Sequence, residues 1–337
     1  MTSLDDYADA LQPLRLTPRQ ARFVVTIALN GGYFLRRHYM AYAGLRYGKM
    51  VREFPEQLVA RGLATRAAGR SDRGFLYHLR ARSIYRALGQ EDNRNRRAAS
   101  PDSIVRKLML LDFVIGRPSV TWLATEADKV SYFADRLGLP RGDFPQQYAT
   151  SGAIETLSTL RFFPDKRPIG IVGDPPAVHL VTLALDTDGA GFERFWLDHA
   201  RLLSHLRSWT INVVGEAGST RALSACRTLF ERHTGTTNTG AGIVSDDQAK
   251  YFAIRRAIEL NELARVPVAD LHWYRDKQTV MSTPVVEAAY AQWRQRRSRA
   301  GVASLAPPSV TVERRGQLEL HELPFTYEHL LSVPLSV

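Results

Sequence analysis

The chain has 337 residues, 45% of them apolar, with 45 Lys and Arg against 34 Asp and Glu, a net charge of +11 and a single cysteine, Cys226. Those values support packed cores rather than disorder, predict two or three domains, and exclude an internal disulfide framework or a cysteine-built zinc site. No run approaches the ~20 apolar residues that cross a bilayer. The acidic start, MTSLDDYADALQPL, lacks the basic-then-apolar pattern of a secretory signal, so a cytoplasmic protein without a membrane partner is expected.

The charge is uneven. Residues 1–120 carry 21 Lys and Arg against 10 Asp and Glu, and residues 121–337 carry 24 against 24. The whole surplus therefore sits in the first third. Concentrated positive charge marks where a polyanion docks, and nucleic acid is the usual one. The excess of Arg over Lys suits phosphate contacts and is equally compatible with a GC-rich genome.

Thr17-Pro18-Arg19-Gln20 has a capping residue, Pro at the first helical position and the Gln of a capping box. Phe23, Val24, Ile27 and Ala28 follow at helical spacing, and Asn30-Gly31-Gly32 stops the helix. A second helix is predicted over Arg36–Ala43, with Gly44 as its stop. A third is predicted over Tyr47–Arg61, kinked or started late by Pro55. Leu63–Ala67 and Phe75–Leu79 are strand-like and flank AGRSDRG at 68–74, which reads as a hairpin with a basic tip. Three helices and a hairpin predict a winged helix, whose third helix enters the major groove while the wing grips backbone or minor groove.

Candidate DNA contacts follow from position. Arg46, Lys49 and Arg52 belong to the third helix. Arg66, Arg70 and Arg73 belong to the wing, and Arg36 and Arg37 open the second helix. Arg94, Arg96 and Arg97 lie in EDNRNRRAAS, a polar stretch without apolar period that reads as a linker; they track a phosphate backbone or are solvated connector charges. Double-stranded DNA is the expected partner. Winged helices also serve as protein-binding modules, but those often lack a basic face.

Pro101-Asp102-Ser103 starts another helix, with Ile104, Leu108, Leu111 and Val114 on one stripe and Met109 and Leu110 beside it. This helix is a candidate homodimer element, or packs against the chain's own second domain; the pattern leaves both open. Residues 121–140 read as a further helix capped at Thr125 or Glu126. Beyond lie strands over Arg167–Val172, Val178–Asp186 and Thr210–Gly215. Helices are predicted over Phe192–Arg207, in STRALSACRTLFERH and in DDQAKYFAIRRAIELNELA, and a hairpin around Arg314-Arg315-Gly316. The β-β-α-β-α order predicts an α/β sheet. The expected layout is a multi-domain α/β chain: a winged helix-turn-helix over 1–90, a helical linker over 91–150 and an α/β domain over 151–337.

Other chemistry is sparse. There is no GxGxxG, Walker loop or HExxH, and no cofactor is expected. HTGTTNTGAG at 233–242 lacks the lysine and spacing of a P-loop and reads as a surface loop. His199 and His205 fall off one helical face, His321 and His329 have no evident partners, and Trp196 and Trp209 read as core or rim aromatics.

Phe163-Pro164-Asp165, a strand ending in Leu183-Ala184-Leu185-Asp186 and a helix bearing Leu202-Leu203 resemble the layout of the replication-relaxation family. LTPRQARF, DNRNR and EADKVSYF also look like proteins of proteobacterial mobile elements. The resemblance covers roughly Leu16 to Val214. It implies a winged helix joined to a domain similar to PD-(D/E)XK nucleases, on plasmids and integrative elements. An active enzyme of that kind would hold Mg²⁺ on carboxylates, here Asp165, Asp186 and Asp188. The pattern departs where Ala184 replaces an expected acid and no lysine follows on the second strand; Lys166 is on the wrong segment. The implied domain is nuclease-like and catalytically degenerate, with its aspartates in turns and without a bound metal. The expected function is sequence-specific DNA binding by a transcriptional regulator of a mobile element. The alternatives are a metal-dependent nuclease or DNA-processing replication factor, and an adaptor whose C-terminal domain binds a protein.

Overall fold

The computed structural model describes residues 3–67, 75–150, 158–234, 246–260, 266–281, 286–287, 290, 294, 316–327 and 330. It is mixed α/β. Two compact units divide the chain, Met1–His233 with Arg314–Val337 forming one and Thr234–Glu313 the other. The boundaries expected near residues 90 and 150 both fall inside the first unit.

The first unit opens with α1 (Leu4–Asp9) and α2 (Pro18–Leu29). The predicted start of α2 is present in full: Thr17 caps it, Gln20 closes the capping box and Pro18 takes the first turn. β1 (Tyr33–Leu35) leads into α3 (Arg36–Ala43), which ends at Gly44 in the left-handed region, φ +61°. α4 (Lys49–Ala60) begins two residues later than the sequence suggests, on the Gly48 cap, and runs through Pro55. β2 (Ala64–Ala67) and β3 (Leu76–Leu79) pair antiparallel, and β1 adds to β3 in the order β1-β3-β2. The hairpin tip with Arg70 and Arg73 lies outside the described residues. Phe23 is the hub of this core, its ring 5.6 Å from Phe34, 5.0 Å from Tyr39 and 6.1 Å from Phe54. Such offset and edge-on contacts are the favoured aromatic geometries.

After α5 (Arg82–Ala87), the 91–100 stretch is not an open linker. Asn95 is buried in a 3-10 turn; its amide donates to Ala28 O at 3.0 Å and Leu29 O at 3.5 Å. Its own carbonyl accepts from His78 Nε2 at 2.7 Å. The composition suggested a solvated connector; one buried amide, satisfying carbonyls at the end of α2, makes it part of the core.

α6 (Pro101–Ile115) starts at Pro101 as predicted, and Ser100 caps it. Residues 121–140 divide into three pieces rather than one helix. β4 (Thr121–Leu123) is an edge strand, α7 (Glu126–Val130) is capped by Thr125 with Asp128 closing the box, and a π-helical turn follows over Ser131–Arg136. β5 (Gln146–Thr150) and β6 (Ser158–Phe162) form a separate antiparallel pair. The main sheet adds β7 (Ile169–Val172), β8 (Ala177–Leu183), β9 (Trp209–Gly215) and β10 (Gly316–Glu322), in the order β10-β9-β8-β7-β4. β7 runs antiparallel to both of its neighbours, β4 and β8; β8, β9 and β10 run parallel. The strand expected to pair with β10 in a hairpin lies outside the described residues. α8 (Ala190–His205) and α9 (Thr220–Thr234) supply Phe192, Phe195, Leu202, Leu223 and Cys226 to the core with Leu180, Ile211 and Val213.

The opposite sheet residues, Val181, Leu183 and Val214, pack with Ile104, Leu108, Met109 and Phe113 of α6 and with Tyr33, Leu35 and Leu76. α6 is thus apolar on both sides because it is covered on both sides by its own chain. Of the two roles left open by the sequence, internal packing accounts for the stripe.

In the second unit, Tyr251 and Phe252 of α10 (Asp246–Glu259) form a small aromatic core with Tyr290, against which Trp273 and Tyr274 of α11 (Val268–Met281) pack. Tyr251 and Tyr274 stack at 4.7 Å. No helix among the described residues is long and apolar enough to cross a membrane.

Candidate nucleic-acid interface

α4 buries Val51, Phe54 and Leu58 and turns its N-terminal end outward. That end gathers the exposed Arg46, Lys49 and Arg52 around Tyr47 and Met50, which are 65% and 54% exposed. Lys49 Nζ is 3.8 Å from Glu53 in an exposed i,i+4 pair, worth a few tenths of a kcal/mol. Arg46 and Arg52 have no ion pair among the described residues. Exposed apolar side chains beside these cations were not flagged by the sequence, because a helical stripe alone does not say which flank is covered.

The other sequence candidates divide by partner. Arg36 donates from Nη2 to Glu56 at 2.7 Å and from Nε to Tyr77 Oη at 3.0 Å. Arg66 donates to the second Glu56 oxygen at 2.9 Å, and Tyr77 Oη to the first at 2.6 Å. Both guanidiniums lie over the Phe75 ring, at 4.9 and 4.6 Å. Burial alone would raise the Glu56 carboxyl; Tyr77, Arg36 and Arg66 together outweigh it and hold the group below its usual range. Glu56 therefore screens two expected phosphate contacts from within α4. It lines the same surface groove as Arg36, Arg52, Glu53 and Gln57.

Arg37 points away from this face. It pairs with Asp112 of α6 at 2.7 Å and lies 4.1 Å over the Phe325 ring. Arg94 and Arg97 are exposed, while Arg96 is partly buried and donates to Glu91 O at 3.1 Å.

The three candidate carboxylates occupy turns. Asp165 Oδ2 is 3.2 Å from Arg167 Nε, and Oδ1 accepts from the Arg167 amide at 3.2 Å. Asp186 accepts from the Gly191 amide at 3.0 Å and Asp188 from Ala190 at 3.1 Å, at the start of α8. Buried Lys129 of α7 donates to Arg167 O at 2.6 Å, and burial drives its pKa down to about 8 against the pull of Asp165. No three His, Cys, Asp or Glu side chains among the described residues form a group that would hold a metal.

His321, without evident partner in sequence, joins a chain of polar contacts across the sheet. Arg117 Nη2 is 3.0 Å from its Nδ1, and its Nε2 is 2.9 Å from Asn212 Oδ1. The Asn212 amide in turn is 3.4 Å from His179 Nδ1. Trp196 and Trp209 pack edge to face at 6.0 Å, as core aromatics. Residues 235–242, the rest of the Gly/Thr-rich stretch, and His329 lie outside the described residues.

Compared with protein-family models, curated proteins and solved structures, the chain matches none.

Proposed function

We propose that the chain is a double-stranded-DNA-binding protein whose first 90 residues act as a winged helix. α3 and α4 form the helix-turn-helix, β2 and β3 the wing, and the N-terminal end of α4 meets base edges. The observation that carries this reading is the cluster of Arg46, Lys49 and Arg52 at the exposed start of α4, coinciding with the whole net charge of the chain. Arginine and lysine at that point read guanine O6 and N7, and exposed Tyr47 and Met50 suit apolar contact with thymine methyls. A transcriptional regulator, as the sequence resemblance implies, is the simplest role. Its metal-dependent nuclease rival has less support, since Asp165 is neutralised by Arg167 and Asp186 and Asp188 bond the backbone of α8.

The test is sequencing of duplexes selected from a random pool by the full chain, repeated with Lys49→Gln and Arg52→Gln. The proposal expects an enriched motif that shifts in the variants, at about 1–3 kcal/mol of discrimination per lost base contact. A pool that stays random, or a motif unchanged in both variants, would falsify the reading of α4.

A further inference from the structure

We infer that His321 is an acid-operated latch that holds β10, the strand on which the chain re-enters the sheet after the second unit, against the end of α6. The inference is independent of DNA binding. Among the described residues β10 pairs with β9 alone, in parallel register, with His321 opposite Val214. His321 gathers the contacts of four elements. Its Nε2 lies 2.9 Å from Asn212 Oδ1 of β9 and 3.3 Å from Glu319 Oε2 of β10 itself. Arg117, just after α6, places Nη2 3.0 Å from its Nδ1 and 3.3 Å from its Nε2. The Phe113 ring of α6 is 5.1 Å away. His179 of β8 is the other titratable group, with Nδ1 3.4 Å from Asn212 Nδ2.

The fully buried Asn212 fixes where this ring carries its proton. Its amide nitrogen donates to Leu180 O at 3.3 Å, so its oxygen faces His321 and accepts from Nε2. The neutral ring then offers Nδ1 as an acceptor, with Arg117 as the donor beside it. A second proton would go on Nδ1, against a guanidinium that has no acceptor atom. Arg117 is held in place, its guanidinium 3.5 Å over the Phe113 ring and its Nη1 3.5 Å from Phe113 O. Glu319 pulls the other way, but its side chain is 45% exposed and its charge is screened by water and salt. Burial first and Arg117 second outweigh it and hold the imidazole below its ordinary 6.5. His179 is also lowered, by burial first, and adds no counter-charge. When β10 opens, the ring regains its ordinary value, and the open strand binds more protons. The latch is therefore closed above pH 6.5 and loosens as pH falls. The residues that follow seat Phe325 4.1 Å from the Arg37 guanidinium and Tyr327 Oη on Asp112 at 2.6 Å, so release of β10 also slackens a brace on α3.

The experiment is amide hydrogen exchange of the full chain at about pH 7.5 and about pH 5, corrected for intrinsic rates, comparing residues 318–322 of β10 with residues 180–183 of β8. In the wild type, protection of β10 relative to β8 should fall by at least about threefold on acidification, and by no more than about tenfold per pH unit, the limit for one proton. His321→Gln keeps a donor and an acceptor but takes no charge, and should abolish the fall. Arg117→Gln removes the cation that opposes the second proton and should shrink the fall. Glu319→Gln removes the acid that favours it and should enlarge the fall. Unchanged relative protection in the wild type, or the same fall in H321Q, overturns the latch. Should H321Q not fold, the other two variants decide: a smaller fall in R117Q with a larger one in E319Q supports the latch, and any other pattern overturns it. An imidazolium at His321 in the nitrogen NMR spectrum at about pH 7.5 overturns it as well.

Discussion

Arg37 and Asp112 meet as a two-pronged pair, Nη2 to Oδ2 at 2.7 Å and Nε to Oδ1 at 3.4 Å. The same carboxylate lies 3.0 Å from His38 Nε2 and accepts from Tyr327 Oη at 2.6 Å. One largely buried anion thus ties α3 and the segment after β10 to α6. Asp112→Ala leaves a partly buried guanidinium, a buried imidazole and a buried phenol without their acceptor, and should cost about 3–5 kcal/mol in urea unfolding. A loss below about 1 kcal/mol would mean that the network relaxes onto water. Arg37→Gln should also destabilise, while the salt slope of DNA binding stays at the wild-type value; a flattened slope would return Arg37 to the DNA face.

Asn95 makes a second, smaller tie. Asn95→Ala removes both bonds to the end of α2 and should cost about 1–3 kcal/mol. Trypsin gives an independent reading. With Asn95 in place, cleavage after Arg94, Arg96 and Arg97 requires local opening and should be slow; in the variant it should accelerate along with the loss of stability. Rapid cutting there in the wild-type chain would restore the linker reading.

The local grammar of the chain was largely legible. Thr17, Pro18 and Gln20 define the start of α2, Gly44 stops α3, and β8, α8, β9 and α9 appear close to where the apolar pattern puts them. What failed depends on distant partners. β4 is three residues long and is a strand because β7 lies beside it, so its own residues carry too little period to read. Asn95 looks like any polar loop residue until α2 is placed over it. The charge pattern drew attention to arginines, yet it could not say that Glu56 cancels Arg36 and Arg66 or that Asp112 claims Arg37, because those acids lie 10 or more residues away in sequence.

The imidazoles predict an acid-labile fold. Burial pushes His78 down to about 4 from 6.5, with the Asn95 carbonyl opposing and Lys107 and Arg80 adding to the fall. His38, His199 and His321 are also lowered, burial being the largest cause in each. Between the unfolded and folded pKa values the unfolded chain binds more protons, so stability is full above pH 6.5 and lost as pH falls toward 4, by about 3 kcal/mol for His78 alone. Lys107 and Lys129, driven down to about 8 from 10.5 by burial, obey the same sign in another window: stability rises from pH 8 to 10.5. Tyr33, Tyr77, Tyr85 and Tyr327 are all raised by burial, so their ionisation in the unfolded chain opposes that rise above pH 10. Urea midpoints across this range should fall on acidification; a flat profile from pH 6.5 to 4 would mean that the histidines are solvated.

Glu56 sits between the fold and the DNA face proposed for α4. Its carboxylate neutralises Arg36 and Arg66 beside Lys49 and Arg52 of α4 and accepts from Tyr77 at 2.6 Å. Glu56→Gln keeps the side-chain shape and removes the negative charge. The fold should lose about 1–2 kcal/mol, the excess of charged over neutral hydrogen bonds, with part of the cost screened because the group is a third exposed. Affinity for any duplex should rise, and the salt slope should steepen by about one unit per guanidinium that reaches a phosphate. Sequence preference set by Lys49 and Arg52 should persist, because the added contacts carry no base information. Unchanged or weaker DNA binding in a variant shown to be folded would place Arg36 and Arg66 outside the proposed interface and confine that proposal to the start of α4.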